Sequence, residues 1–279
     1  DLLCTEGIPR RQIAIYASGG VEHAWYENGA ETLIEEALRH REAGYDAFKF
    51  RPGTDWQAAG MTLEKYAPIL ERLRDAVGPE FRLMHEGLGM SLGSLEAIIS
   101  DFAPLLETLD FYWFEEAFGG TNIDHIDLFI RLKEAMPTVR VSGGERFRER
   151  FEAQVWLDRE ALDIVQTDCN VTGLTENWYI ARMAHLRGMS LIPHNWHGGG
   201  TTMANAHLVA AIANGEYCEL NQTYNPLKEG IFKEPLTVEN GVMTLPDRPG
   251  LGVELIDDLE ERFPFQPGSY QKPNRRVES

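Results

Sequence analysis

The chain has 279 residues, a formal net charge of −18 at neutral pH and a hydrophobic content of 43%. This length suits one large core, because an eight-fold α/β barrel takes roughly 250 residues. The acidic balance disfavours nucleic acid and anionic membrane surfaces as partners, since the average field of the protein repels polyanions.

The spacing of the cysteines and the lengths of the apolar runs indicate the cellular compartment. Cys4, Cys169 and Cys218 are widely spaced, so neither a disulfide framework nor a thiolate zinc site is indicated. No apolar run approaches the roughly 18 residues of a membrane span. The opening DLLCTEGIPRR lacks the basic-then-apolar order of a signal peptide. These features predict a soluble, cytoplasmic protein with no membrane association.

Eight strand-like runs alternate with helix-like segments along most of the chain. Strands are predicted at residues 12–17, 47–51, 81–85, 111–115, 139–143, 162–167, 189–194 and 216–220. Between them, residues 30–44 and 62–78 show helical periodicity and end in glycines that suit helix C-caps. Such alternation predicts an α/β fold with parallel strands, which close into a barrel more naturally than they lie open. The doubly wound alternative has no GxGxxG after the first strand to support it.

The C-terminal segment departs from the βα pattern. From residue 235 it predicts a hairpin turning at Asn240-Gly241, a Pro/Gly-rich loop and a short helix at DDLEERF. The expected organisation is therefore a linker at residues 1–11, a barrel at 12–234 and a separate tail at 235–279.

Ionisable residues recur where successive predicted strands end. They are Lys49 and Arg51, then Glu86, the pair Glu115-Glu116, Glu145, Asp168, His194 and Glu219. A solvated surface would scatter charges along the helices instead. Because barrel chemistry sits at the C-terminal ends of the strands, this recurrence predicts one shared site.

Several of these carboxylates converging on one point would repel one another unless a cation held them. All-oxygen ligands favour a hard ion, and Mg²⁺ is the first choice. Strand alternation lets only one of two neighbours point into the barrel mouth, so Glu115 rather than Glu116 is expected to face the ion.

The basic residues and the histidine supply the remaining chemistry. Lys49 and Arg51 share a strand face, where they form either salt bridges with the carboxylates or a cationic wall that receives an acid group and transfers a proton. Asp168 and His194 end neighbouring strands. A carboxylate bonded to one ring nitrogen would orient the imidazole and leave the other nitrogen facing the pocket.

The ordered set resembles the mandelate racemase subgroup of the enolase superfamily. The matching motifs are KxR after the second strand, an acid after the third, FEE, GE, Asp168 with TGLTE, His194, Glu219 and the closing LPDRPGLGVEL, from about Tyr16 to Leu255. The resemblance implies a modified (β/α)7β barrel in which Glu86, Glu115 and Glu145 bind Mg²⁺. It also implies that His194 with Asp168 is an acid/base, and that Lys49 and a protonated Glu219 contact a substrate carboxylate as an ene-diolate forms.

Three residues depart from the family pattern. Arg51 replaces a common Lys and is a poor base, which favours single-base chemistry by His194 over two-base racemisation. Glu86 replaces a common Asp, and Ala117 a common Pro. The resemblance therefore implies an Mg²⁺-dependent dehydratase of a hydroxylated sugar acid. The alternatives are a racemase or epimerase of a 2-hydroxy acid, and a non-catalytic metal-binding barrel.

Family members also carry an N-terminal capping domain whose loops close over the pocket. Because the first predicted strand begins at residue 12, the cap is expected to be absent or to lie outside the numbered chain. The C-terminal hairpin would pack on such a cap. Pairing of the barrels into a homo-oligomer is compatible with the pattern, although no interface can be read from the sequence.

Overall fold

A computed structural model describes residues 3–4, 7, 9–21, 31–51, 56, 60–88 and 90–267 of the protein. Parts of the predicted linker (residues 1, 2, 5, 6 and 8), the first residue of the predicted helix 30–44 and the end of the tail (residues 268–279) lie outside the described residues.

Eight strands alternate with helices in the described part of the chain, which confirms the predicted α/β class. The strands are β1 Gln12–Gly19, β2 Ala47–Phe50, β3 Arg82–Glu86, β4 Trp113–Glu115, β5 Arg140–Gly143, β6 Ile164–Val165, β7 Ser190–Leu191 and β8 Tyr217–Asn221. The longer helices are α1 Glu31–Glu42, α2 Leu63–Val77, α5 Ile126–Ala135, α6 Arg150–Asp158, α8 Leu174–His185 and α9 Gly199–Ala211.

Shorter helical pieces complete the connections. They are α3 Leu95–Ala97, a π-helical turn Ile98–Phe102 and α4 Ala103–Thr108 after β3, a 3-10 turn Ile123–His125 before α5, α7 Cys169–Thr172 before α8, α10 Pro226–Glu229 and α11 Leu259–Arg262. The strands β6 and β7 are shorter than predicted. The chain beyond them still makes single backbone bonds, such as Ile192 N to Val165 O at 3.0 Å, without a regular ladder.

The eight strands run parallel in the order β8-β1-β2-β3-β4-β5-β6-β7. Between β7 and β8 the Asn195 side chain spans the gap, donating from Nδ2 to Glu219 O at 2.9 Å. Seven strands are followed by helices and β8 leads into the tail, which is the predicted modified (β/α)7β barrel.

Residues on β4 illustrate how the strands divide inside from outside. Trp113 packs inside the barrel with Tyr16, Met84 and Ile164. Phe114 points the other way, into the large apolar layer between the sheet and the helices. Glu115 returns to the inner side, as the period of two along a strand requires. The carboxylate of Glu115 therefore lies at the end of β4, next to the apolar interior of the barrel.

The tail forms the predicted hairpin, with β9 Val238–Glu239 and β10 Val242–Thr244 turning at Asn240 and Gly241. Asn240 and Gly241 both have φ near the left-handed region, at 50° and 72°, as an Asn-Gly turn favours. Strand β10 pairs antiparallel with the first residues of β1, and Met243 and Leu245 are buried against the barrel. Packing of the hairpin on a capping domain stays a prediction.

None of the helices in the described ranges is both long and apolar enough to cross a membrane.

Candidate active site

Three carboxylates meet at the C-terminal end of the barrel. Glu86 ends β3 and Glu115 ends β4, and these two residues are register partners on adjacent strands. Glu145 follows β5 by two residues. One donor oxygen from each of the three lies within 4.8 Å of the others, so a single ion could touch all three. The structure thus brings together the three predicted ligands, which we call the acid cluster.

The positive charges beside the acid cluster do not offset the burial and mutual repulsion of its carboxylates. Burial raises the pKa of Glu86 to about 7, and the repulsion of Glu115 adds to this against the attraction of Lys49 and Arg51. Burial also raises the pKa of Glu115, although Lys49 opposes the shift. Crowded, buried carboxylates with raised pKa values are what a cation would relieve. The all-oxygen donor set fits a hard divalent ion such as Mg²⁺.

Lys49 lies at the centre of the site, 2% exposed. Its Nζ donates to Glu115 Oε1 and lies 2.9 Å from Glu219 Oε1. Burial lowers the pKa of this ammonium, but the two carboxylates outweigh burial and leave the pKa above its ordinary value. These contacts favour Lys49 as a cation and a hydrogen-bond donor.

Arg51 takes a more exposed position at the rim. Its Nη1 lies 3.5 Å from Glu86 Oε1, and its guanidinium stacks 5.3 Å from the centre of the Trp196 ring. Lys49 and Arg51 thus both pair with carboxylates of the site, in line with the salt-bridge alternative. Proton transfer by either residue stays a prediction.

His194 is held between two carboxylates. Its Nδ1 lies 2.8 Å from Asp168 Oδ2, and its Nε2 lies 3.3 Å from Glu145 Oε2 in the acid cluster. Asp168 is fixed in turn, because its Oδ1 accepts from Asn170 N at 2.7 Å and so caps α7. Asn205 donates from Nδ2 to the carbonyl oxygen of His194 at 3.0 Å. One ring nitrogen is thus oriented and the other faces the acid cluster.

The charge of His194 follows from these neighbours. Burial lowers the pKa of the imidazole, but the bond to Asp168 and the field of Glu219 outweigh burial, and the pKa rises to about 9. Without a cation in the cluster the ring is an imidazolium near neutral pH. A divalent ion beside Glu145 would lower that pKa by repulsion and favour the neutral, basic form.

The charges beside Glu219 oppose its expected protonation, which stays a prediction. Burial does raise its pKa, but Lys49 and His194 outweigh burial and hold the pKa at about 2. Oε1 forms an ion pair with Lys49 Nζ at 2.9 Å, and Oε2 accepts from the Asn195 backbone N–H at 2.6 Å. The Glu219 carboxylate therefore lies where it can hold Lys49 in place. Burial favours its protonated form, and the charges that oppose burial lie on other parts of the chain, so they cannot be read from β8 alone.

Several residues of the site were missed by the sequence reasoning. Gln166 Nε2 and Trp113 Nε1 donate to Glu115 Oε2 at 2.6 and 3.1 Å. The alternation along each strand could have indicated both, because Gln166 lies two residues before Asp168, and Trp113 two before Glu115. His197 also contacts the Asp168–His194 pair, since its Nε2 lies 3.1 Å from Asp168 Oδ2.

Asp168, His194 and His197 also offer donor atoms within 4.8 Å of one another. Asp168 Oδ2 and His194 Nδ1 already contact each other at 2.8 Å. This contact favours proton transfer over metal ligation by the three residues.

The metal-free protein is expected to lose stability as pH rises from about 5 to about 9. Glu86 and Glu116, both raised chiefly by burial, have folded pKa values of about 7 against 4.5 ordinarily. The folded chain therefore binds more protons than the unfolded chain between those values, and this contribution is lost through pH 7. His194 adds the same sign between 6.5 and about 9.

Urea unfolding in a chelator at pH 5, 7 and 9 measures this dependence, and Glu86→Gln should flatten it. Glu219 acts in the opposite sense only between its two pKa values of about 2 and 4.5, outside this range. Stability that rises from pH 5 to pH 9 would contradict the electrostatic description of the site.

The chain matches the family model described as enolase C-terminal domain-like over residues 32–259. Among curated proteins it is 31% identical over 258 residues to the arabinonate dehydratase of Saccharolobus solfataricus, covering 92% of this chain and 65% of that protein. It is 29% identical to the D-galactarolactone cycloisomerase of Agrobacterium fabrum, covering 91% of this chain and 66% of the relative. The chain thus spans just under two thirds of the length of these relatives.

Among solved structures, the 3,6-anhydro-D-galactonate cycloisomerase from Zobellia galactanivorans matches with a TM-score of 0.77 and 30% identity. That match covers 94% of this chain and 68% of the other. The family model spans most of the chain, including the acid cluster, Asp168, His194 and Glu219. The chain therefore belongs to the enolase C-terminal domain-like family and is a mandelate racemase-type barrel of the enolase superfamily.

Proposed function

We propose that this chain is the catalytic barrel of an Mg²⁺-dependent dehydratase acting on a hydroxylated sugar acid. The observation that carries the proposal is the His194–Asp168 pair, in which Nδ1 bonds Asp168 and Nε2 lies 3.3 Å from Glu145 of the acid cluster. A base beside a cation site is the arrangement needed to remove a proton α to a carboxylate. The 31% identity to an arabinonate dehydratase supports the sugar acid class.

In the proposed reaction Glu86, Glu115 and Glu145 hold the cation, which supplies charge stabilisation to the substrate carboxylate as its α-proton leaves. Lys49 donates a hydrogen bond to the same carboxylate. Its raised pKa keeps the ammonium charged for this role, although burial opposes the charge and only Glu115 and Glu219 preserve it. Glu219 holds Lys49 in position.

His194 Nε2 takes the α-proton, so the electrons of that C–H bond become available to expel the neighbouring hydroxyl group. The protonated imidazole then gives its proton to the departing hydroxyl, and one water leaves. The resulting enol becomes the 2-keto-3-deoxy acid by taking a proton from solvent at C3 and releasing the proton of its enol hydroxyl group. Asp168 supports both half-steps, because its hydrogen bond to Nδ1 stabilises the imidazolium.

A cycloisomerase is the second candidate, since two of the similar proteins are named as cycloisomerases of sugar-acid derivatives. The same base could act on a substrate whose leaving oxygen belongs to its own ring, and then no water would be lost. A racemase or epimerase is less well supported. The cations near the substrate side of the site are Lys49 and Arg51, and both are held as partners of carboxylates rather than as a second base.

Mass spectrometry of the products from a library of sugar acids and lactones tests the proposal. A dehydratase gives a product lighter by one water, only with Mg²⁺. A product of unchanged mass but altered ring structure would favour the cycloisomerase, and unchanged mass with an inverted centre would favour the racemase. Magnesium binding without turnover of any library member would favour the non-catalytic barrel.

A further inference from the structure

Glu116, the second acid of the FEE motif, has no role in the reaction proposed above. Its side chain is 2% exposed, and its backbone adopts φ of 46°, which non-glycine residues rarely do. The turn directs Glu116 away from the barrel interior that Glu115 faces. A buried acid on a strained backbone costs stability, so its position calls for a compensating contact.

That contact is made with the backbone just before Glu145. Glu116 Oε1 accepts the Gly144 backbone N–H at 2.8 Å, and Glu116 N donates to Ser142 O at 3.1 Å. Glu116 is therefore bonded to β5 and to Gly144, the residue directly before Glu145. Its own backbone continues from Glu115. One residue thus connects two members of the acid cluster.

Glycines make room for this carboxylate. A Cβ atom at Gly143 would lie 2.9 Å from Glu116 Oε1, and one at Gly120 would lie 3.2 Å from Oε2. Gly144 has φ of 107°, a conformation that a side chain would strain. The turn from β5 to Glu145 is therefore shaped around the Glu116 carboxylate.

The other contacts of Glu145 are weaker. The side chain lies 3.4 Å from Arg146 Nε and 3.3 Å from His194 Nε2, and it is 17% exposed. The bond from Gly144 N to Glu116 is therefore a short restraint on this turn, beside the bond from Gln166 N to Gly143 O at 2.8 Å. Groups that orient metal ligands typically change metal affinity by about 10–100-fold when they are removed.

We propose that Glu116 is a positioning residue that sets Glu145 in the acid cluster through the Gly144 N–H. This inference rests on the proposed metal role of the cluster. The length of the Glu116 side chain, which we call its reach, decides whether this bond forms, because its oxygen must lie 2.8 Å from Gly144 N. Charge is secondary, since a neutral amide oxygen accepts the same hydrogen bond.

Two variants separate reach from charge. Glu116→Gln keeps the reach and removes the charge, whereas Glu116→Asp keeps the charge and is one methylene shorter. Isothermal titration of Mg²⁺ into the metal-free variants should give a Kd within about threefold of the parent for Glu116→Gln. For Glu116→Asp the Kd should be weaker by about 10–100-fold.

Thermal unfolding of the metal-free variants accompanies the titration, so that binding is compared between folded proteins. Glu115→Gln is the control that tests the cluster itself. A Glu116→Asp protein that binds Mg²⁺ like the parent, beside a Glu115→Gln protein that does not, overturns this inference alone. A loss in Glu116→Gln equal to that in Glu116→Asp also overturns it, because charge would then be the cause. Parental binding by Glu115→Gln overturns the metal assignment and the inference together.

Discussion

Replacing His194 with Asn is expected to lower kcat by about 10²–10⁴-fold, the usual contribution of a positioned acid/base. Asn retains a hydrogen-bonding group of similar size near Asp168 but cannot carry a proton between substrate and leaving group. In the structure His194 Nε2 faces the acid cluster, whereas Nδ1 is bonded to Asp168. Nε2 is therefore the ring nitrogen that takes the proton. Steady-state kinetics with the substrate from the library screen measures the effect.

The matched control is His185→Asn at the exposed end of α8, which should leave kcat unchanged. Magnesium affinity in His194→Asn should stay within about threefold of the parent, because the histidine is not an expected ligand. A kcat within a factor of a few of the parent would mean that another group takes the α-proton, and His197 would be the first to test.

Removing Mg²⁺ is expected to abolish turnover and to lower thermal stability. A ligand at about 100 times its Kd adds roughly 2.7 kcal/mol to the free energy of unfolding. For a domain of this size that corresponds to roughly 5–10 °C in Tm. The physical reason is the crowding of Glu86, Glu115 and Glu145, whose donor oxygens lie within 4.8 Å of one another. Scanning calorimetry with chelator and with added Mg²⁺ gives the shift.

Glu115→Gln should remove most of that shift, because it deletes the carboxylate at the centre of the acid cluster. Glu64→Gln, on the exposed first turn of α2, changes the net charge equally and should keep the shift. An unchanged Tm on adding Mg²⁺ to the parent, or an undiminished shift in Glu115→Gln, would contradict cation binding by the acid cluster.

Strand alternation explains why the inner side of the site was predictable. On β4 the run Trp113, Phe114 and Glu115 alternates inward, outward and inward, so a period of two assigns Glu115 to the pocket. The parallel order of the strands then places Glu115 beside Glu86 in register. Both facts follow from local pattern and barrel geometry.

The outer contacts were not predictable in this way. The role of Glu116 depends on a left-handed turn and on space left by Gly143, and neither is visible in a run of two acids. The ionisation of Glu219 depends on where Lys49 lies, which is set by the closure of β1 between β2 and β8. The ionisation of a residue at a strand end depends on the charges near it in space. The sequence alone shows only the residues near it along the chain.

The proposed reaction requires that the His194–Asp168 pair takes an α-proton beside a cation held by the acid cluster. The most direct test is mass spectrometry of a reacting sugar acid incubated with the parent and with His194→Asn, each with Mg²⁺ and with chelator. We expect a product lighter by one water in the Mg²⁺-loaded parent and in none of the other three samples. Equal product from His194→Asn, or from the chelated parent, would contradict the proposed reaction.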